Sequence, residues 1–294
     1  MKVNPKKVTL NHPEKVMFPA IGASKRDLWD YYERISGTML PYLKDRPLTM
    51  HRFPDGIEGD GFYMKNVPDY FPEWIETVDI EKKEGGTNIQ MVCQTEEALL
   101  FLVDQACITP HVWLSTRNDL DRPDRMVFDL DPSGKDTDTI KRIAIALKET
   151  MDKKELRSYV MTTGSKGVHV VVPIEADHPF ETVKRVADGL AADVVRRLPE
   201  IATLEQRKDK REDKVFLDTL RNAYGQTSVC PYAIRALKGA PVATPLSWQE
   251  FSDQPFDPQR YRTDNIFRRL GRIDNPWKGF FETKNDLSSL IENA

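Results

Sequence analysis

Three aspartates at the ends of apolar runs carry the clearest chemistry in this 294-residue chain. In the stretch MVFDLDPSGKD, Asp129 and Asp131 are separated by a single leucine. Residues i and i+2 of a strand project to one face, so both carboxylates leave together just where Pro132-Ser133-Gly134 ends the run. Two ionised carboxylates that close repel each other, and a hard cation such as Mg²⁺ or Mn²⁺ between them relieves the repulsion. Taken alone, D-x-D is also what the wet end of a strand looks like. KVFLDTLRN repeats the design, with Asp218 closing a second apolar run. A two-metal phosphoryl-transfer site, with ions roughly 3.5–4 Å apart, commonly needs three carboxylates. Asp218 also has a plainer reading, as the cap of the TLRNAYG segment that follows it.

A phosphate cradle is the next requirement, and MTTGSKGVHVVVPI offers a candidate. Thr162, Thr163, Gly164, Ser165, Lys166 and Gly167 form a hydroxyl-rich, basic turn that feeds a strand. It is not a Walker loop, because the G-x-x-x-x-G-K-[ST] spacing is absent and no helix follows. Its amides, hydroxyls and lysine suit a triphosphate, and they equally suit an ordinary hairpin turn. His169 alternates with Val168 and Val170, so it faces away from the core if those valines are buried. Downstream, Arg221, Asn222, Gln226, Thr227, Arg235 and Lys238 fall within 18 positions, and arginine suits bidentate contact with phosphate.

These groups need elements to position them. SKRDLWDYYERISGTMLPYL opens with a capping box of Ser24 and Asp27, then places Leu28, Tyr31, Ile35 and Met39 at helical spacing. Thr95 caps a second helix in TEEALLFLVDQA. DTDTIKRIAIALKETMDK lines up Ile140, Ile143, Leu147 and Met151, and ETVKRVADGLAADVVRRL lines up Val183, Val186, Leu190, Val194 and Leu198. Between them LTMHRF, WIETVDI, NIQMVC, RMVFDLD, SYVMT, VHVVVPI and KVFLD read as strands, and the mixed-sign QRKDKREDK as a solvated hairpin or loop. Strands interleaved with a few long helices predict an α+β (mixed α/β) fold, with β-sheets flanked by helices.

Composition narrows the function classes. Hydrophobic residues make up 39% and charged residues 30%, and no apolar run approaches the roughly 18 residues of a membrane helix. A net charge of −3 argues against coating nucleic acid by bulk charge. Residues 1–26 nevertheless set Lys2, Lys6, Lys7, Lys15, Lys25 and Arg26 against the lone Glu14, which is either a local anion-binding surface or a solvated terminus. Cys93, Cys107 and Cys230 form no C-x-x-C pair and read as small buried hydrophobes, which fits a reducing, cytoplasmic compartment. No repeat or Gly/Ser linker marks a second autonomous domain, so residues 1–294 are expected to form one domain, or two lobes of one fold.

The ordered set TLNHPEKVMFPAIGASKRDLWDYY, RFPDGIEGDGFYMKN, HVWLSTRNDLDRPDRMVFDLDPS, TTGSKGVHVVVPI, VFLDTLRNAYGQTSVCPYAIRA and GAPVATPLSWQE resembles the primase-polymerase domain of bacterial ligase D, over about residues 8 to 280. That domain belongs to the archaeo-eukaryotic primase superfamily. The resemblance implies that Asp129, Asp131 and Asp218 hold two Mn²⁺ or Mg²⁺ ions. It implies that His111, Ser165, Lys166 and His169 contact the incoming nucleotide and that Arg235 binds its triphosphate. Lys15 and Lys25 match lysines that recognise the 5′-phosphate of a downstream strand, and Phe53 and Phe62 match aromatics that stack at template and gap. Two departures stand out. Val112 follows His111 where the family usually reads H-P-W, and Leu237 occupies the place of a second arginine, with Lys238 beside it as an imperfect substitute.

The implied function is a template-dependent nucleotidyltransferase that fills gaps and extends ends during non-homologous end joining, preferring ribonucleotides and using NTPs or dNTPs. Its implied partners are 5′-phosphorylated DNA gaps or ends, Ku and a separate DNA ligase, in the prokaryotic cytoplasm near the nucleoid. No K-x-D-G nucleophile motif occurs, so no ligase or nuclease domain is expected. Rival readings are a non-catalytic DNA end-binding module with structural carboxylates, a D-x-D sugar-nucleotide transferase, and a de novo primase of the same superfamily.

Overall fold

The computed structural model describes residues 8–81, 85–132 and 137–292. Lys2, Lys6, Lys7 and the Ser133-Gly134-Lys135-Asp136 part of the opening motif lie outside the described residues. The chain divides into two compact units: residues 1–113 with 229–242, and residues 114–228 with 243–294. No helix among the described residues is long and apolar enough to cross a membrane.

The first unit begins with β1 (Val16–Phe18) paired to β2 (Ala23–Ser24), which leads into α1 (Lys25–Leu43). The capping box at the start of α1 forms as expected: the Ser24 hydroxyl accepts from the Asp27 amide while the Asp27 carboxylate accepts from the Ser24 amide. Leu28, Tyr31, Ile35 and Met39 are all buried. Next come β3 (Leu48–Arg52), β4 (Phe62–Met64), the hairpin of β5 (Thr77–Glu81) and β6 (Thr87–Met91), α2 (Glu96–Asp104) and β7 (Cys107–Trp113). Thr95 caps α2 by accepting from the Ala98 amide. Strands β7, β3 and β4 pair antiparallel in that order. Strands β4 and β7 are absent from the sequence expectation. In β7 the pattern CITPHVW contains Pro110, which argues against a paired strand. Its carbonyl still accepts a bond, from the Cys230 amide. The Tyr32 hydroxyl stitches this unit, donating to the Ile108 carbonyl and accepting from the Ile234 amide. All three cysteines are buried and free, and burial pushes the Cys107 thiol up to about 12.

The second unit is a six-stranded sheet in the order β11-β12-β8-β10-β9-β14, built from β8 (Arg125–Asp131), β9 (Tyr159–Thr162), β10 (Val168–Pro173), β11 (Ala202–Thr203), β12 (Val215–Asp218) and β14 (Thr244–Leu246). The short β13 (Thr227–Val229) marks the chain's passage back to the first unit. Apart from the parallel β11–β12 pair, these strands run antiparallel. Helices α3 (Thr137–Asp152) and α4 (Phe180–Arg197) carry the expected stripes, with Ile140, Ile143, Leu147, Met151, Val183, Val186, Leu190 and Val194 all buried. They form one core with Met126, Phe128 and Leu130 of β8, Val168, Val170 and Val172 of β10, and Val215 and Leu217 of β12. Each such side chain contributes about 1.5–3 kcal/mol relative to exposure. Every second residue of three adjacent strands is therefore committed to the core, which leaves the intervening residues to the opposite face. The shorter helices α5 (Trp248–Asp253) and α6 (Ile266–Leu270) follow β14.

The capping box supplies a first prediction. Ser24→Ala is expected to cost about 1 kcal/mol, read as a lower urea midpoint at unchanged m. The Asp27 carboxyl is held below its ordinary value by bonds from the Ser24 hydroxyl and then its amide. Its contribution is complete above the ordinary carboxylate value and is lost as pH falls through the lowered one. The stability cost of Asp27→Asn should therefore shrink as pH is lowered from 6 towards about 3; a cost independent of pH would contradict this.

Candidate active site

Strand register brings the acids together. Asp129 lies directly opposite His169 of β10 on one side and Asp218 of β12 on the other, while Asp131 lies opposite Phe216. Directly opposite residues share a face, so Asp129, Asp131, Asp218 and His169 all project from the side away from the helical core. One oxygen from each of the three carboxylates lies within 4.8 Å of the others. His169 faces away from its valine neighbours as expected, yet it is itself buried rather than exposed.

Each acid sits in a different electrostatic setting. Burial works to raise the Asp129 carboxyl, but His169 and Arg221 outweigh it and hold it down at about 2. His169 Nε2 lies 3.3 Å from Asp129 Oδ1, and Arg221 Nε lies 3.3 Å from Asp129 Oδ2. The other imidazole nitrogen, Nδ1, is 3.2 Å from the Ser228 hydroxyl, which fixes the ring from behind. No such pair to Asp131 occurs among the described residues: burial, then the charge of Asp129, outweigh the more distant His169 and Arg221 and push it up to about 6. Burial and the same charge raise Asp218, against a bond from the Leu220 amide at 2.7 Å. Thr219, not Asp218, is the N-cap of the Leu220–Asn222 turn, and Asp218 reaches over it to accept from the turn's first amide. Three crowded hard-oxygen donors, two of them raised by burial and a neighbouring negative charge, form a donor set suited to a divalent cation.

Two backbone features hold this arrangement. The Asn222 side chain, fully buried, accepts from the Val127 amide at 2.8 Å and donates to the Val127 carbonyl at 2.7 Å and the Thr219 carbonyl at 2.9 Å. It continues the ladder of β8 beyond the point where β12 stops, two residues before Asp129. On the other side, the Thr163–Gly167 turn closes with the Thr163 hydroxyl accepting from the Ser165 and Gly167 amides. A Cβ at Gly167 would lie 2.3 Å from the Leu130 carbonyl oxygen, so only glycine lets this turn pass so close to the strand that carries the acids. Ser165 is half-buried and Lys166 exposed at the turn's tip. Arg221 and Asn222 stand out in the sequence only as members of a polar stretch, and Ser228 not at all; their roles follow from tertiary contacts.

The remaining expected site residues belong to the first unit. The His51 ring stacks on Tyr63 at 4.1 Å, and His111 meets the Tyr63 ring edge-on at 5.6 Å. Burial, then the Arg235 charge, push His51 down to about 4, which keeps it neutral at physiological pH. Sequence reading missed His51 and Tyr63, although His51 shares a strand face with Thr49 in LTMHRF. Arg235 is half-buried, while Leu237 and Lys238 are exposed.

Two exposure expectations need correction. Lys15 is accessible and pairs with Asp55 at 2.9 Å, but Lys25 is only 5% exposed, its ammonium held by Asp104 and the Asn11 carbonyl. A lone buried ammonium is costly, so Lys25 takes the nearby carboxylate instead of solvent. Phe62 is 45% exposed with the Arg52 guanidinium over its ring, whereas Phe53 is buried. Gly61 explains the burial of Phe53: a Cβ there would sit 2.2 Å from the Phe53 ring, so the backbone lies directly on it.

Asn222→Ala tests the strand clamp. It leaves two Val127 backbone groups buried and unpaired, at an expected cost of about 2–4 kcal/mol in urea unfolding. An unchanged midpoint would remove Asn222 from this role.

Comparison with known proteins agrees with this architecture. The chain matches the family model for the LigD primase-polymerase domain over residues 24–277. It is 33% identical over 267 residues to the multifunctional non-homologous end joining protein LigD of Mycolicibacterium smegmatis, covering 90% of this chain and 35% of that protein. It is 31% identical to the protein of the same description from Pseudomonas aeruginosa, covering 97% of this chain and 34% of that one. The chain therefore spans about a third of the length of these relatives. The polymerase domain from Mycobacterium tuberculosis ligase D, solved in complex with DNA, superposes with a TM-score of 0.87 at 26% identity, covering 95% of this chain and 99% of that one. The α+β architecture expected from the sequence is thus a shared one. With a family match that reaches into both units and a fold held in common along nearly the whole chain, this protein belongs to the LigD primase-polymerase domain family.

Proposed function

We propose that the chain is a template-dependent nucleotidyltransferase that extends DNA ends and fills gaps during double-strand-break repair by non-homologous end joining. The observation that carries this reading is the three-carboxylate cluster at the ends of β8 and β12, in a chain of the LigD primase-polymerase domain family. Asp129, Asp131 and Asp218 are the residues to hold Mn²⁺ or Mg²⁺. When bound, such ions lower the pKa of an attacking 3′-hydroxyl and offset charge on the transferred phosphate. Of the two partners of Asp129, His169 is enclosed while Arg221 has a side chain 38% exposed, so Arg221 is the one free to yield its carboxylate oxygen. It then becomes a guanidinium available to phosphate. His169, held by Ser228, keeps Asp129 ionised and aimed. Ser165, Lys166 and the amides of the Thr163–Gly167 turn are the triphosphate cradle of this unit; His111, Arg235 and Lys238 are nucleotide contacts drawn from the family resemblance.

On the first unit, Lys15 and Phe62 are the accessible members of the proposed DNA surface, for a 5′-phosphate and an unstacked base. Lys25 and Phe53 support it from beneath. The backbone brings the two lysines side by side, since the Lys25 amide donates to the Lys15 carbonyl at 2.8 Å. A ribonucleotide preference, a downstream ligase and Ku as the recruiting partner complete the proposal, all three drawn from the family resemblance.

Asp129→Ala with Asp131→Ala is expected to abolish primer extension on a gapped template while leaving DNA binding within about twofold, as removal of metal ligands requires. Undiminished extension would exclude the metal site, and no extension by wild type even with Mn²⁺ or Mg²⁺ added would favour a non-catalytic end-binding module. Lys15→Ala should reduce the preference for gaps bearing a 5′-phosphate over a 5′-hydroxyl, measured by anisotropy; equal discrimination would take Lys15 out of phosphate recognition.

A further inference from the structure

Outside the carboxylate cluster, the second unit contains a cavity of about 870 Å³ lined entirely by residues between Ser247 and Pro276. Volumes of roughly 300–1,000 Å³ suit small ligands. Four arginines line it, Arg260, Arg268, Arg269 and Arg272, against two acids, Glu250 and Asp274. Glu250 is already spoken for. Arg269 donates to its two oxygens from Nε at 3.0 Å and Nη2 at 2.6 Å, and the Tyr261 hydroxyl donates at 2.6 Å.

That leaves Arg260, Arg268 and Arg272 against Asp274 alone, a net positive lining. Arg269 is 8% exposed, fixed by Glu250, by the Pro245 carbonyl and by the Tyr261 ring 4.6 Å from its guanidinium carbon. Even so, its Nη1 is buried and has no acceptor among the described residues, which leaves its positive charge only partly matched. Arg268 and Arg272 are exposed, and among the described residues neither side chain has a hydrogen bond or ion pair. Asn265 and Asn275 add neutral polar groups to the lining. A concave wall of guanidinium groups, one rigidly anchored and two unengaged among the described residues, matches phosphoryl oxygens, which accept paired N–H donors in fork geometry.

We propose that this cavity is a second phosphate-binding site, with Arg269 anchored in its wall as fixed positive charge and Arg268 and Arg272 as the arginines that close on the ligand. The phosphoryl oxygens come either from a nucleoside triphosphate or from the backbone of a nucleic-acid strand. The site does not depend on the polymerase reading, because none of its residues belongs to the carboxylate cluster and binding there needs no metal.

The test compares wild type with Arg268→Gln/Arg272→Gln as full chains in EDTA, using two probes. These are ATP, followed by calorimetry, and a labelled single strand of about 12 nucleotides, followed by anisotropy over a salt series. Both arginines are exposed and unpaired, so the variant should fold, and Arg272→Gln alone gives a milder version of the same comparison. Binding of the cognate probe is expected to weaken about tenfold or more, the scale of losing charge-assisted phosphate contacts. For a strand, the slope of log K against log salt should also become shallower by about 0.7 per arginine removed. Weakening confined to ATP assigns a nucleotide to the site, and weakening confined to the oligonucleotide assigns a strand. If wild type and variant bind both probes equally with the same salt slope, or if wild type binds neither, the site is overturned.

Discussion

The register of β8 between β10 and β12 is the constraint on which the second unit depends. With Asp129 opposite both His169 and Asp218, the acids share one face while Met126, Phe128 and Leu130 share the other. A slip of one residue would exchange the faces, driving two carboxylates into the helical core and three apolar side chains out of it. The cost of that exchange is the cost of the core itself, so the site and the core are specified by the same alternation. Asn222 on one side of the strand and Gly167 on the other hold the register locally, one by extending the ladder and one by permitting close approach.

Crowding like charges on one sheet face is unfavourable, and the fold manages it unevenly. Asp129 is provided with an imidazole and a guanidinium and stays ionised, while at Asp131 and Asp218 burial and the charge of Asp129 outweigh the favourable contacts. A site of this kind holds part of its charge in check until a cation is present. The same logic runs through the first unit, where Lys25 takes Asp104 and Lys15 takes Asp55. There the buried ammonium faces a buried carboxylate, and the accessible one an exposed carboxylate.

Much of this was legible beforehand, for identifiable reasons. The stripes of α1, α3 and α4 repeat at helical spacing, and the Ser24–Asp27 and Thr95 caps are local interactions within four residues. The alternation in RMVFDLD put both acids of β8 on one face, which requires nothing beyond strand geometry. Pro110 hid β7, because its neighbours' pairing is not written in its own segment, and β4 is too short to signal itself.

What the sequence alone determined is the set of elements, the shared face of Asp129 and Asp131, and the family whose motifs it carries in order. Tertiary structure decided which polar residues serve those acids. Arg221 and Asn222 lie 92 and 95 positions from the β8 residues they hold, and Ser228 lies 59 from His169. It also decided that Lys25 and Phe53 are buried while Lys15 and Phe62 are not. Side-chain type sets what a residue can bond to, but burial and partnership depend on which distant segment the fold lays against it.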